Sequence, residues 1–163
     1  MTGVIVWFTG LPASGKSTLA RRVREQLASR RPCVILDSDE LRVVLGATRY
    51  DNASRDEFYR SVRELARLLA SQDFVVLVAA TAPRREHRSL PRDTVTCIEV
   101  YVRTPIEVCE ERDRKGLYAA ARETPDSTLP GLRSTFEPPL EPDVVAEGGD
   151  DRRAVDALVA LLS

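Results

Sequence analysis

The chain has 163 residues, 43% hydrophobic and 30% charged, a length and make-up that suit one domain with one packed core and exclude a disordered polymer. Its 24 basic and 25 acidic side chains leave a formal charge of −1, and without a basic excess nucleic acid is not expected as the main partner. No apolar run reaches the length of a membrane span, so no membrane partner is expected either.

The opening residues, MTGVIVWFTG, lack a positive n-region and do not read as a signal peptide. Cys33, Cys97 and Cys109 form no C-x-x-C pair and read as reduced, mostly buried thiols of a cytoplasmic protein. In chain order, Val4–Phe8 is a short apolar run that predicts a buried parallel strand. A helix follows to about Arg30, with Leu19, Val23 and Leu27 on one face. Cys33–Leu36 predicts the second strand, and Glu40–Leu45 a helical turn. A loop holding Gly46, Asp51 and Asn52 leads to a long helix over about 53–71, with Phe58, Val62, Leu65 and Leu69 on its apolar face. Phe58 there reads first as a packing residue, and Tyr59 as exposed or facing the site.

Phe74–Ala79 predicts strand three, Arg84–Leu90 a short basic helix, and Thr96–Val102 strand four. The lone His87, inside the basic run, reads as a solvated surface histidine. Thr104-Pro105-Ile106-Glu107 has the form of a capping box opening a helix to about Asp113. Arg114–Pro142 is rich in turn residues and reads as a long lid or binding loop. Val144–Ala146 and Asp151–Leu162 predict a last strand and a closing helix. Strands alternating with helices specify an α/β fold, a central parallel sheet with helices on both faces.

Between the first strand and its helix, Gly10-Leu11-Pro12-Ala13-Ser14-Gly15-Lys16-Ser17 fits G-x-x-x-x-G-K-[ST], with Thr18 next. In that setting the backbone amides wrap the phosphates of a nucleoside triphosphate. Lys16 places a charge between the β- and γ-phosphates, and the Ser17 hydroxyl binds Mg²⁺. A guanine-reading Asn-Lys-x-Asp is absent. The Asp-x-x-Gly at Asp113–Gly116 follows a helix, and the third strand, FVVLVAAT, lacks a terminal acid, so a switch or motor is not indicated. The acids stand instead at the end of strand two, Asp37 and Asp39. In a doubly wound sheet that end shares a crevice with the phosphate loop. One acid can hold Mg²⁺ and the other accept a proton from an attacking hydroxyl, unless both merely cap the next helix. Arg42, Arg55, Arg60, Arg85 and Arg88 near the strand ends would suit an acceptor with its own phosphate or sulfate groups.

With these motifs the chain resembles the adenylylsulfate kinases, over roughly residues 3–146. The resemblance rests on GLPASGKST (Gly10–Thr18), on Leu36-Asp37-Ser38-Asp39-Glu40-Leu41-Arg42, and most of all on EVYVRTPIEVCEERDRKGLYAAAR (Glu99–Arg122). Leu129-Pro130-Gly131 and Phe136-Glu137-Pro138-Pro139 add to it. It implies a three-layer α/β/α P-loop NTPase fold over 1–163, a mostly parallel sheet, and a mobile lid at about 112–140. It implies phosphorylation of the 3′-hydroxyl of adenosine 5′-phosphosulfate with ATP and Mg²⁺. Asp39, Lys16 and Lys115 would be catalytic, with Ser17 and Asp37 at the metal. Gly10–Thr18 and Arg112 would bind ATP; Asp39, Arg42, Tyr50, Arg55, Phe58, Lys115 and Leu129 would bind the acceptor. It also suggests a homodimer and allows association with a sulfurylase.

The chain departs from the family at the acceptor side. Phe58 replaces an asparagine, Leu129 an aromatic, Ser38 a glycine and Glu40 an asparagine. A kinase of this fold with another small hydroxyl acceptor, or a nucleotide-binding protein without turnover, therefore stays open at this point.

Overall fold

The computed structural model describes residues 2–90 and 93–163. Its centre is a five-stranded sheet in the order β2-β3-β1-β4-β5, comprising β1 (Val4–Thr9), β2 (Cys33–Asp37), β3 (Val75–Ala79), β4 (Thr96–Val102) and β5 (Val144–Ala146). Every neighbouring pair runs parallel. The helices are α1 (Lys16–Leu27), α2 (Ser38–Leu45), α3 (Asn52–Ala70), α4 (Ile106–Glu111), α5 (Leu117–Glu123) and α6 (Arg152–Leu162). Alternation along β1 builds two cores at once. Val4, Val6 and Phe8 join Leu19, Val23, Val155 and Leu158 of α1 and α6 on one face. Ile5 and Trp7 join Phe58, Val62 and Ala66 of α3 on the other.

The expected element order holds, and its edges and two local details do not. Helix α1 stops at Leu27 rather than near Arg30, and the basic run after β3 forms only a single 3-10 turn, Arg85–His87. The long loop after α4 contains α5. Gly116 opens that helix at φ 66°, and its Tyr118 and Ala121 are buried.

His87 is 2% exposed rather than solvated. Its ring stacks on Tyr59 at 4.7 Å between centroids. Nδ1 accepts from the Arg84 amide at 3.3 Å, so Nε2 carries the proton and donates to Asp56 Oδ1 at 2.8 Å. Asp56, Glu86 and His87 lie close enough to hold a cation, but both imidazole nitrogens are already spoken for. Tyr59 is likewise buried, and its hydroxyl accepts from the Ala82 amide at 3.1 Å. Arg88, 5% exposed, is a structural tie rather than an anion receptor. It pairs with Glu99 at 2.7 Å and donates to the carbonyls of Ala82 and Glu137. Arg85 donates to the Pro138 carbonyl at 2.8 Å and lies in the same tie. Arg88 has no donor to spare for an acceptor, whereas Arg85 is exposed with only its Nε so committed.

Burial pushes the His87 pKa down against the upward pull of Asp56. The folded protein thus holds fewer protons than the unfolded chain just below the ordinary histidine value. The stability that His87 contributes is complete above that value and lost as pH falls through the folded one. No other histidine is present. The urea midpoint is expected to fall between about pH 7.5 and about pH 5.5 in the parent, and His87→Gln to flatten that fall.

Candidate active site

The first strand ends at Thr9, and the next six residues form the loop whose geometry governs everything near it. Gly15, at φ 99°, turns the chain into α1. A side chain there would be strained, and its Cβ would lie 2.5 Å from the Gly149 amide nitrogen. Ala13 also adopts a left-handed conformation, φ 61°. Three later parts of the chain brace this loop. Thr104 Oγ1, after β4, donates to the Ser14 carbonyl at 2.6 Å. Tyr118 Oη, on α5, donates to the Pro12 carbonyl at 2.8 Å. Gly148 and Gly149, after β5, pack directly against it: a Cβ at Gly149 would sit 2.8 Å from the Gly15 carbonyl oxygen and 3.0 Å from Thr18 Cβ. The capping box expected at Thr104 does not form, because its hydroxyl is committed to Ser14 and Pro105 stands at the helix cap instead.

Lys16 is buried and folds back on the loop, with Nζ donating to the carbonyls of Gly10 (3.1 Å) and Leu11 (2.8 Å). Burial lowers its pKa to about 8, against the pull of Cys109, Asp39 and Asp37. The lysine is thus a poorly solvated cation at the start of α1, poised to gain from a polyphosphate. Cys109 is fully buried and its thiol pKa is raised by that burial, which fits a reduced, inert thiol. Cys33 and Cys97 are half-buried, short of the burial expected of them.

The end of β2 delivers the two acids to the mouth of this loop. Asp37 accepts from the Ser17 hydroxyl and, as N-cap of α2, from the Asp39 amide at 3.0 Å. Asp37, rather than Asp39, is therefore the capping residue. Asp39 points outward and accepts from Lys115 Nζ at 2.6 Å. That contact crosses from the 112–117 turn to the first turn of α2, and the Asp39 carboxylate in turn raises the Lys115 pKa. Arg112 runs over the post-β5 turn: a Cβ at Gly148 would lie 4.0 Å from its Nη1.

Beyond the acids, α2 and α3 form a second, cationic and aromatic wall. Arg42, 8% exposed, lies between the rings of Tyr50 (4.1 Å) and Phe58 (4.0 Å). Arg55 Nη2 donates to the Thr128 carbonyl at 2.8 Å, and Thr128 Oγ1 donates to the Tyr50 carbonyl at 3.4 Å. This brings the 128–129 backbone to Tyr50, with Leu129 half-buried beside it. Phe58, 3% exposed, lies in the α3 core beneath Arg42 and not on an open surface. Arg60 is exposed at the surface of α3.

Sequence reasoning passed over Thr104, Tyr118 and the Gly148–Gly149 turn. Thr104 and Tyr118 lay inside recognised motifs, but Thr104 looked like a helix cap and Tyr118 fell in the stretch that reads as a long loop. The glycine pair was visible as a composition feature with no stated use.

The adenylylsulphate kinase family model matches residues 2–147. An adenylyl-sulfate kinase of Vibrio vulnificus is 39% identical over 163 residues, covering 97% of this chain and 78% of its own. That of Halothermothrix orenii is 43% identical over 148 residues, 87% of this chain and 78% of its own. Among solved structures, the Mycobacterium tuberculosis APS kinase CysC in complex with AMPPNP and APS superposes with a TM-score of 0.89 at 37% identity, covering 99% of this chain and 98% of that one.

Two outcomes follow from this geometry. Gly149→Ala should displace Gly15 and weaken binding of a non-hydrolysable ATP analogue about tenfold or more, read by calorimetry, since small misplacements in a phosphate cradle are costly. Because a polyphosphate restores the Lys16 proton, analogue affinity should fall as pH rises past about 8, with proton uptake on binding measured in buffers of different ionisation enthalpy.

Proposed function

The chain belongs to the adenylylsulphate kinase family, and on that premise we propose that it transfers the γ-phosphate of ATP to the 3′-hydroxyl of adenosine 5′-phosphosulfate. The observation that carries this reading is the Lys115–Asp39 contact at the mouth of the phosphate loop. It sets a carboxylate and a cation together between the loop and the Arg42–Tyr50–Arg55 wall, where donor and acceptor would meet.

In this reading residues Gly10–Thr18 cradle the ATP phosphates, and Arg112 lies against the nucleotide. Lys16 leaves its carbonyl partners for the β- and γ-oxygens. Asp39 accepts the proton of the acceptor hydroxyl as that oxygen attacks phosphorus. Lys115, now held by Asp39, turns to the transferring phosphoryl group and offsets its charge. Arg42, Arg55, Tyr50 and Leu129 hold the acceptor nucleotide, with Phe58 behind them. The 112–140 segment acts as a lid over both nucleotides, and so keeps water from the γ-phosphate.

The oxygen donors of Ser17 and Asp37, adjacent and hydrogen-bonded to each other, are of the type that suits Mg²⁺. These two residues would hold the ion, which neutralises charge on the β- and γ-oxygens when bound. Among the described residues no helix is long and apolar enough to cross a membrane. The family reading also carries a homodimer, which sedimentation would read directly.

ADP release should depend on adenosine 5′-phosphosulfate. Asp39→Asn should lower kcat by about a hundredfold or more while the ATP analogue still binds. ADP release that ignores this acceptor, or an unchanged kcat in Asp39→Asn, would overturn the assignment.

A further inference from the structure

Arg42 is held in an unusual way for a cation at a cleft wall. Tyr50 covers it from one ring and Phe58 from another, both within 4.1 Å. Its Nη1 is spent on the carbonyls of Ala47 (3.0 Å) and Arg49 (3.3 Å). The Tyr59 hydroxyl also lies against Arg42, so its partners are rings, carbonyl oxygens and a neutral hydroxyl, groups that orient a guanidinium without neutralising it. Phe58 is itself fixed, meeting Tyr59 edge to face at 5.2 Å, and Tyr59 is tied to the Ala82 amide. An unbroken chain of contacts thus runs from Ala82, after β3, through Tyr59 and Phe58 to Arg42 and Tyr50. Its inner members are buried, and only Tyr50, 48% exposed, reaches solvent.

We propose that Phe58 is a positioning residue for acceptor recognition: it touches no substrate, and acts by fixing the guanidinium plane of Arg42 beneath Tyr50. A planar cation between two aromatic faces keeps its charge and loses its rotational freedom. It then meets an anionic nucleotide without the ordering cost a free arginine bears. The proposal rests on the acceptor reading above. It further specifies that reading by making the α3 ring, and not only the cleft-lining groups, a determinant of acceptor affinity.

Phe58→Leu and Phe58→Met keep an apolar side chain of similar volume and remove the π-face. In each, KM for adenosine 5′-phosphosulfate should rise about five- to tenfold, with kcat and KM for ATP within about twofold of the parent. Phe58→Tyr, which keeps the face, should restore the parental KM. In an Arg42→Met background, Phe58→Leu should add no further change. A readout without any acceptor is the Arg42 Nε–Hε resonance, shielded between two rings in the parent and moved downfield in Phe58→Leu. The proposal is overturned by an unchanged acceptor KM, by equal rises for both substrates, or by the same Phe58→Leu effect with and without Arg42. If the parent gives no turnover with this acceptor, the functional reading fails, and the resonance still reports whether Phe58 orders Arg42.

Discussion

The site depends on one packing constraint, the contact of the phosphate loop with the turn after β5. Gly15 and Gly149 approach so closely that neither tolerates a Cβ without displacing the other's backbone. The Thr104 and Tyr118 hydroxyls take up two carbonyls of the same loop. Carbonyls turned outward toward these donors leave the loop's amides to point inward, which is what an anion requires. The parallel sheet makes this possible. Its strands all end on one edge, so the segments after β1, β4 and β5 converge there although they are far apart in sequence.

The near-zero net charge conceals an uneven use of cations. Arg31, Arg42, Arg55 and Arg88 are all buried, and each spends N–H groups on backbone carbonyls: Leu162 and Thr2, Ala47 and Arg49, Thr128, and Ala82 and Glu137 respectively. A guanidinium suits this because it is weakly hydrated and has five donors in fixed directions. Among the described residues Arg88 alone of the four also forms an ion pair, with Glu99. That separates the arginine that ties loops together from Arg42 and Arg55, whose charge remains near the cleft. A basic residue beside a strand end was thus a poor guide to anion binding by itself. What its other donors hold decides its use.

Most of the fold was legible because the dominant signals were local. The apolar runs of β1 and β3 and the apolar face of α3 need only period and length to be read, and Gly10–Ser17 carries its own context. The acids Asp37 and Asp39 could be placed at the crevice from strand order alone. What escaped reading depends on partners distant in sequence. His87 looked solvated in a basic run, but Tyr59 and Asp56, brought over by α3, cover both its face and its edge. Thr104 looked like a cap, but a carbonyl 90 residues earlier competes for its hydroxyl. Helix α5 was hidden among turn residues because seven residues are too few to show a period.

Burial also explains how the α2–α3 wall keeps its cation in place without a polar side chain at position 58. A phenylalanine there extends the α3 core up to Arg42. A phenyl ring offers a guanidinium no hydrogen bond, only a flat surface, so direction comes from polar partners, the Ala47 and Arg49 carbonyls and the Tyr59 hydroxyl. Those carbonyls belong to the loop after α2, which ends at Tyr50. The loop's conformation, the arginine's plane and the tyrosine's ring are therefore set together. A change at any one of them is expected to be felt at the other two, and less at Lys16, which is held by its own loop's carbonyls. The wall of α2 and α3 and the phosphate loop are tied at the end of β2, through Ser17 and Asp37, and by the 128–131 segment, which holds Arg55 and packs Gly131 against Leu11.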